Sequence, residues 1–485
     1  MFFPASIYPK PSLFKMTNKF SYVLLALIVL LAATLRIYRL DYQSLDLDEI
    51  FSMNPTQPGQ SLSALIESCK KDQPPAYFLL LWSWFKVFPY NEFWGRMLSV
   101  IFGLWSVVAI FFLGKAFKDS CVGLVASLMT TLNFYHLYFS QNVRFYSLLF
   151  LLTTLSYHYY LKCLKRPSPA NFTLYALCSI GLVYTHYFGT LVIIAQALSF
   201  LIIVYLGKKD KRFLISGLLA GLSILAAFSF WLPTVLSDAG ITSFWIGPPT
   251  PWFFIEHIQA YMNGDNFSVL IMAFLIGLLV ITYLLKAPKP TIEFRYYPVS
   301  IHLLIVSIWV FVSYALPYLY SIWRVPILVP RYTIIVLPAL FVMSALGWSM
   351  LPRFWLKILV LVALVCIMVR SIFFLNWYYI NITKTQFREV TQAVIGQHPS
   401  ATIYSPREWY FNCYLRVLGS DKTVINPAYI NFEQEVVNHR EIWVLRAFLG
   451  APDEHPFPLA IIDKYFTVKK TLTYYDAYAV LYVKK

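Results

Sequence analysis

Three acidic side chains lie within four residues of one another, directly after the first apolar run. They are Asp46, Asp48 and Glu49, in segment 44–52. A carboxylate held at a membrane surface can take a proton from an acceptor hydroxyl or amine. Asp48 is the candidate base, and Glu49 would orient it or bind an acceptor or a metal. The alternative is a solvated acidic loop, and these residues alone do not decide between the two.

A second polar group follows in the same loop, as Lys71, Asp72 and Gln73 before two prolines. Lys71 has the charge to meet a phosphate, and Asp72 has the carboxylate to add a second acid to the same pocket. The alternative is a helix start, with Asp72 or Gln73 near the N-cap and proline in the first turn.

Three arginines lie at the ends of apolar runs, on the side of the membrane that should be poor in basic residues. They are Arg144, Arg324 and Arg331. Snorkelling would explain any one of them. An anionic lipid phosphate explains all three better, because the guanidinium fork matches phosphate oxygens.

The composition indicates that these residues belong to a membrane protein. The chain has 485 residues, of which 59% are hydrophobic and 13% charged, and its mean hydropathy is +0.62. A soluble domain carries about 25% charged residues. The net charge is +16. The basic residues lie largely in short loops between apolar runs, as is typical of cytoplasmic loops in membrane proteins, so we expect no nucleic-acid partner.

The apolar runs predict about eleven membrane spans. They lie near residues 20–38, 96–114, 121–140, 145–161, 170–186, 189–206, 213–237, 266–285, 298–320, 332–350 and 354–376. Every second loop is basic, which places the N-terminus in the cytoplasm and the C-terminus outside. Almost no ionisable residue falls in a span interior, and this disfavours an ion-coupled transporter.

These patterns predict a mainly α fold, a polytopic transmembrane helix bundle with additional outer parts. Residues 1–19 would be a cytoplasmic N-terminus and 20–376 the membrane domain, with a first outer loop at 39–95. Segment 74–89 is too short to span comfortably and should form an interfacial helix. Residues 377–485 should form a small extracytoplasmic α/β domain, with strands near 442–448 and 477–483. Cys69 and Cys413, both on the outer side, are expected to be free thiols rather than a disulfide.

Taken together, these segments resemble the GT-C glycosyltransferases that use polyprenyl-phosphate sugars, a superfamily that includes protein O-mannosyltransferases and lipid A aminoarabinose transferases. Asp48 and Glu49 look like the family's acidic pair, and Asp72 begins a segment similar to its D/E-x-PP motif. The similarity covers about residues 20–350. Further similar segments are 92–96, 141–146, 185–187 and 331–332. Asp46 departs from the usual tryptophan, and Gln73 from the usual histidine or lysine.

The resemblance implies inverting transfer of a hexose or pentose from a polyprenyl phosphate to a glycan, lipid or protein acceptor. Asp48 would be the base. The candidates for the donor phosphate are Arg331, Tyr332, Arg144, Tyr146 and Lys71, and those for the acceptor are Asp72, Gln73 and His186.

No cofactor is certain, and a divalent metal on Asp48, Glu49 and Asp72 is left open. The absence of retention or organelle signals favours a bacterial plasma membrane, and the loop charges place the candidate site on its outer face. The alternatives are a lipid-linked saccharide flippase or exporter, and a polysaccharide polymerase or ligase. A flippase should line a central path with cations instead of placing acids beside the first span.

Overall fold

The computed structural model describes residues 17–71, 73–206, 211–238, 245–286, 298–375, 377–398, 400–450 and 457–485. The chain divides into two compact units. Unit 1 comprises Met1–Leu35, Phe102–Leu137 and Tyr146–Ile372, and unit 2 comprises Arg36–Ile101, Tyr138–Phe145 and Phe373–Lys485. This division does not follow the boundary near residue 376, so the domain limits drawn from the sequence stay a prediction.

The helices of the first half of the chain are, in order, α1 (Asn18–Ile37), α2 (Leu47–Met53), α3 (Leu62–Lys70), α4 (Ala76–Trp84), α5 (Glu92–Phe117), α6 (Ser120–Leu132), α7 (Phe134–Ser140), α8 (Tyr146–Lys165), α9 (Pro169–Val183), α10 (Gly189–Leu206), α11 (Lys211–Ser229) and α12 (Leu232–Asp238). Those that follow are α13 (Phe253–Tyr261), α14 (Asn266–Lys286), α15 (Pro298–Trp323), α16 (Leu337–Ser349), α17 (Phe354–Arg370), α18 (Phe387–Gly396), α19 (Glu408–Val417), α20 (Phe432–Val436) and α21 (Leu459–Tyr465).

Within the described ranges, seven helices are long and apolar enough to cross a membrane. They are Asn18–Ile37, Glu92–Phe117, Lys211–Ser229, Asn266–Leu285, Ile301–Trp323, Tyr332–Ser349 and Phe354–Leu375. Ser120–Leu132, Pro169–Val183 and Gly189–Tyr205 are shorter apolar helices. The prediction of a mainly helical multi-pass membrane protein is confirmed, and the number of about eleven spans stays a prediction.

Unit 1 is built from closely packed apolar helices. α8 is buried along most of its length, so it is an inner helix of this unit. Gly114 of α5 and Gly123 of α6 face each other, and a Cβ atom on Gly114 would come within 2.8 Å of the Cα atom of Gly123. Small residues let two apolar helices approach closely where lipid supplies no hydrophobic driving force.

The C-terminal part of unit 2 is an α/β fold around one sheet. Its strands are β1 (Thr402–Tyr404), β2 (Val424–Ile425), β3 (Glu441–Ala447), β4 (Phe466–Tyr474) and β5 (Ala477–Lys484), in the order β2-β1-β3-β5-β4. β1 runs parallel to β2 and β3, while β5 runs antiparallel to β3 and β4. Both strands predicted from the sequence are present, as β3 and β5.

The burial of the strands follows their place in the sheet. β3 is central, and its residues from Ile442 to Leu445 are all buried. β4 lies at the edge, is largely exposed and carries Lys469 and Lys470, which protects an open edge from further strand pairing. Cys69 and Cys413 are both buried, and no disulfide joins them in the described part of the chain.

Candidate active site

The acidic triplet of the first outer loop forms the start of helix α2. Asp46 is the N-cap residue, and its side chain accepts a hydrogen bond from the backbone N–H of Glu49 at 3.0 Å. The Glu49 carboxylate accepts one in return from the Asp46 N–H at 3.0 Å. This reciprocal capping box satisfies two N–H groups that the first turn of a helix leaves without partners. The departure at Asp46 therefore has a structural role.

Glu49 is fully buried and is the centre of an ion-pair network. Its Oε1 accepts hydrogen bonds from Arg96 Nε at 2.7 Å and from the Val143 N–H at 3.0 Å. Its Oε2 accepts from Arg96 Nη2 at 2.9 Å and from Lys384 Nζ at 2.7 Å, in addition to the Asp46 N–H. Five donors exceed the roughly four lone-pair sites of a carboxylate, so this group has no capacity left for an acceptor proton.

The electrostatics of the two neighbouring acids differ. Burial alone would raise the pKa of Glu49, but Arg96 and Lys384 outweigh it and hold that pKa well below its usual range. For Asp46 burial is the largest influence and raises the pKa, with Lys384 opposing it and the carboxylates of Glu49 and Asp48 adding to it. Glu49 is thus ionised at neutral pH and fixes α2.

Lys384 enters this network from the segment that follows α17. Its ammonium donates to Glu49 and, at 2.6 Å, to Asn142 Oδ1, and it lies 3.8 Å from Asp46 Oδ2. Gln43 fixes this segment, since its Oε1 accepts from the N–H and hydroxyl of Thr383 and from the Lys384 N–H. The C-terminal segment therefore contributes a buried cation to the acidic site.

Glu92 and Arg96 lie one helical turn apart at the start of α5. Arg96 contacts the first outer loop, and Glu92 contacts the C-terminal part of unit 2. Arg96 donates to the carbonyl groups of Leu40, Gln43 and Ser44 at 2.8–2.9 Å, which fixes the loop before α2. Glu92 accepts from the Tyr414 hydroxyl at 2.8 Å and from Arg388. These contacts give the segment 92–96, noted from the sequence, a positioning role.

Asp48 is the second residue of α2 and is half-buried. Arg144, whose side chain is buried, donates from Nη1 to the Asp48 carbonyl at 3.1 Å and to the Ser52 hydroxyl at 3.4 Å. An acid in the first turn also interacts favourably with the helix dipole. Asp48 is therefore presented by a helix that Glu49 and Arg144 fix from two sides.

The two described residues of the second polar group differ in burial. Lys71 is exposed, whereas Gln73 is buried, and Asp72 lies outside the described residues. Gln73 lies between the end of α3 and the start of α4, whose N-cap residue is Pro75, so it is not itself the N-cap that the alternative interpretation placed at Asp72 or Gln73.

A separate basic and aromatic group lies in unit 1. The Arg331 guanidinium is 4.7 Å from the centre of the Trp245 ring and 5.7 Å from that of Tyr332. The His186 ring lies 4.7 Å from the Tyr332 ring, and its Nδ1 accepts from the Phe188 N–H at 3.0 Å. The fold thus brings Arg331, Tyr332 and His186 together, from distant parts of the sequence. Tyr146 is fully buried at the start of α8.

The divalent metal that the sequence left open on Asp48, Glu49 and Asp72 stays a prediction, because Asp72 lies outside the described residues. The described residues contain no group of three or more His, Cys, Asp and Glu side chains suited to a metal ion. Glu49 is already occupied by two cationic side chains.

Asp46 was noted in the sequence without its capping role, and Lys384 was missed altogether. Asp46 had a signal, because an acid three residues before Glu49 and ahead of an apolar run is a capping-box pattern. Lys384 had no signal in the sequence, because it pairs with a carboxylate 335 residues away in the chain.

Comparison with known proteins agrees with the resemblance to GT-C glycosyltransferases that the sequence shows. Residues 72–232 match the family described as dolichyl-phosphate-mannose-protein mannosyltransferase. No curated protein sequence matches the chain.

Solved structures extend the likeness to nearly the whole chain. ArnT from Cupriavidus metallidurans, bound to undecaprenyl phosphate, is 12% identical with a TM-score of 0.62, and the match covers 96% of this chain and 98% of that one. AglB, an oligosaccharyltransferase from Archaeoglobus fulgidus in complex with an inhibitory peptide and a dolichol-phosphate, is 10% identical with a TM-score of 0.56, covering 95% and 74%. The arabinofuranosyltransferase AftD from Mycobacteria is 10% identical with a TM-score of 0.53, covering 96% and 42%.

The chain therefore has the fold of the GT-C glycosyltransferases, and the resemblance seen in the sequence is confirmed. It is a multi-pass membrane protein of that fold.

Proposed function

We propose that this protein is an inverting glycosyltransferase that moves a sugar from a polyprenyl-phosphate donor to a glycan, lipid or protein acceptor. The observation that carries the proposal is the presentation of Asp48, a half-buried carboxylate on a helix fixed by the Glu49–Arg96–Lys384 network. The family match and the lipid phosphates bound in ArnT and AglB support the donor class.

The reaction is a single displacement. Asp48 removes the proton from the acceptor hydroxyl or amine, and the acceptor atom forms a new bond to the anomeric carbon. The bond between that carbon and the phosphate oxygen breaks, and the lipid phosphate leaves with the electron pair. The anomeric configuration is inverted. The leaving phosphate needs no proton if cations stabilise its charge.

We assign the donor phosphate to the unit 1 group of Arg331 and Tyr332, because a guanidinium fork matches phosphate oxygens. Arg144 and Tyr146 are buried, and Arg144 supports the helix that carries Asp48. The displacement as written needs no metal ion, and Glu49 already has two cationic partners.

We place the protein in a bacterial plasma membrane with its N-terminus in the cytoplasm and its active site and C-terminus outside. The alternation of basic and non-basic loops supports this orientation.

A transfer assay tests the reaction class. Purified protein receives a panel of radiolabelled polyprenyl-phosphate sugars, with membrane extract as the source of acceptor. We expect label from one donor to appear in an extract component. If no donor is consumed and the protein instead moves intact lipid-linked sugar across liposomes, the protein is a flippase and the proposal is wrong.

A further inference from the structure

A cavity of about 890 Å³ lies within unit 2. One wall is formed by the end of α2 and the turn after it, including Phe51 and Asn54, and the other by α19, including Trp409 and Arg416. Its volume is in the range of cavities that bind small ligands, which are about 300–1,000 Å³. Neither the base nor the donor-phosphate group assigned above accounts for it.

Two partly exposed aromatic rings line this cavity. The Phe51 and Trp409 rings lie 4.7 Å apart between centroids at an angle of 49°, and 43% and 38% of their surfaces are exposed. A sugar ring has an apolar face of C–H groups and a rim of hydroxyl groups, so exposed aromatic rings beside polar groups suit it.

The polar groups of the cavity are already held in position. Arg416 donates to the Asn54 side chain. Asn412 bonds to the Val424 backbone in both directions, at 3.0 and 2.8 Å. Groups fixed in advance lose little conformational entropy when a ligand binds.

The charges of the lining favour an anionic ligand. The cavity is lined by three basic residues, Lys71, Arg416 and Lys422, and by two acidic ones, Glu408 and Asp421. Glu408 already accepts a hydrogen bond from Asn426 Nδ2 at 2.8 Å. The cationic groups therefore outnumber the acids, and one of those acids has a partner.

Phe51 connects this cavity to the proposed chemistry. It follows Asp48 by three residues on α2, and residues with that spacing are neighbours on one helix face. A ligand against the Phe51 ring would lie about one helical turn from the Asp48 side chain.

From these observations we propose that the cavity between α2 and α19 binds the acceptor as a saccharide that carries a phosphate or carboxylate group. This inference rests on the proposed glycosyltransferase function. It assigns Lys71 to the acceptor instead of the donor phosphate.

Binding of two tetrasaccharides to the purified full-length protein tests the inference without catalysis. The probes are a hyaluronan tetrasaccharide, which is anionic, and chitotetraose, which is neutral, titrated by calorimetry. We expect the anionic probe to bind more tightly and Trp409→Ala to weaken its binding at least tenfold. Tyr429→Ala, an exposed aromatic of the same segment outside the cavity lining, is the matched control and should bind like the wild type.

Lys422→Ala separates charge from stacking, since it should weaken only the anionic probe. If neither probe binds the wild type, or if Trp409→Ala binds as well as the wild type, the inference is wrong. Equal binding of the two probes would overturn the anionic part of it. If the wild type binds the anionic probe but consumes no polyprenyl-phosphate sugar, the proposed function fails while the saccharide site stands.

Discussion

At the scale of single residues, Glu49 shows how an acid in a candidate catalytic motif can stabilise the structure. Its carboxylate accepts five hydrogen bonds and has no exposed surface. The proposed proton transfer is therefore assigned to its neighbour Asp48. Burying an ion pair gains little net energy, but removing one partner leaves a buried charge without compensation.

Glu49→Gln should destabilise the protein strongly, by about 3–5 kcal/mol at pH 7, because Arg96 and Lys384 lose their shared counter-ion. The folded state lowers the pKa of Glu49, so its contribution is complete above the unfolded pKa of about 4.3 and is lost as the pH falls towards the folded-state value. Thermal unfolding in detergent should therefore show the largest gap between wild type and variant near pH 7, narrowing below about pH 4.

Glu67→Gln is the control, since Glu67 forms an exposed pair with Lys70 at 3.1 Å and should change stability by less than about 1 kcal/mol. Equal unfolding temperatures for Glu49→Gln and wild type at pH 7 would contradict this account.

Lys384→Met tests the contribution of the C-terminal segment to the acidic site. The change removes a buried ammonium that bonds to Glu49 and Asn142, so we expect a lower unfolding temperature and lower transfer activity. Lys464→Met, which breaks the exposed pair with Glu433, should leave both unchanged. Full activity of Lys384→Met would show that the segment is not needed at the site.

At the scale of helices and strands, the sequence predicted which segments are helical but not where helices are interrupted. Each of the eleven apolar runs contains helix, because long hydrophobic segments must satisfy their backbone groups internally. Run 121–140 divides into α6 and α7 because Asn133 is extended and its side chain accepts from the His136 N–H at 2.9 Å. Hydropathy carries no signal for such a local side-chain bond.

Some residues of the site could be predicted from their sequence neighbours, whereas others are brought together only by folding. Asp48 and Glu49 were found because they are adjacent in sequence, and the capping box that starts α2 is also local. Lys384 and the group of Arg331, Tyr332 and His186 depend on packing between distant segments. A single sequence contains no direct record of those contacts.

The contact between α14 and α16 gives a test of close helix packing. A Cβ atom on Gly347 of α16 would collide with the carbonyl oxygen of Leu275 of α14, so Gly347→Ala should destabilise by about 1–3 kcal/mol. Gly277→Ala, on α14 where a Cβ meets nothing within 4 Å, should be neutral or stabilising by up to about 1 kcal/mol. The check is the unfolding temperature of both variants in detergent, and equal effects would contradict the close approach.

At the scale of the whole molecule, the distribution of charge predicts the orientation in the membrane. Basic residues cluster at every second loop, and the acids of the proposed site lie in the loop after α1. Reporter fusions test this arrangement. Alkaline phosphatase, which is active only when exported, should be active when fused after residue 485 and inactive when fused after residue 166. The reverse result would place the acidic site in the cytoplasm and contradict the orientation.

The central claim is that Asp48 activates the acceptor for sugar transfer, and Asp48→Asn tests it most directly. The variant and the wild type are purified, their unfolding temperatures compared, and both assayed for label transfer from the accepted polyprenyl-phosphate sugar. Asp41→Asn, an exposed acid of the same loop, is the matched control. We predict that Asp48→Asn folds and binds donor but loses transfer by about 100-fold or more, while Asp41→Asn retains it. Wild-type activity in Asp48→Asn would show that another group is the base.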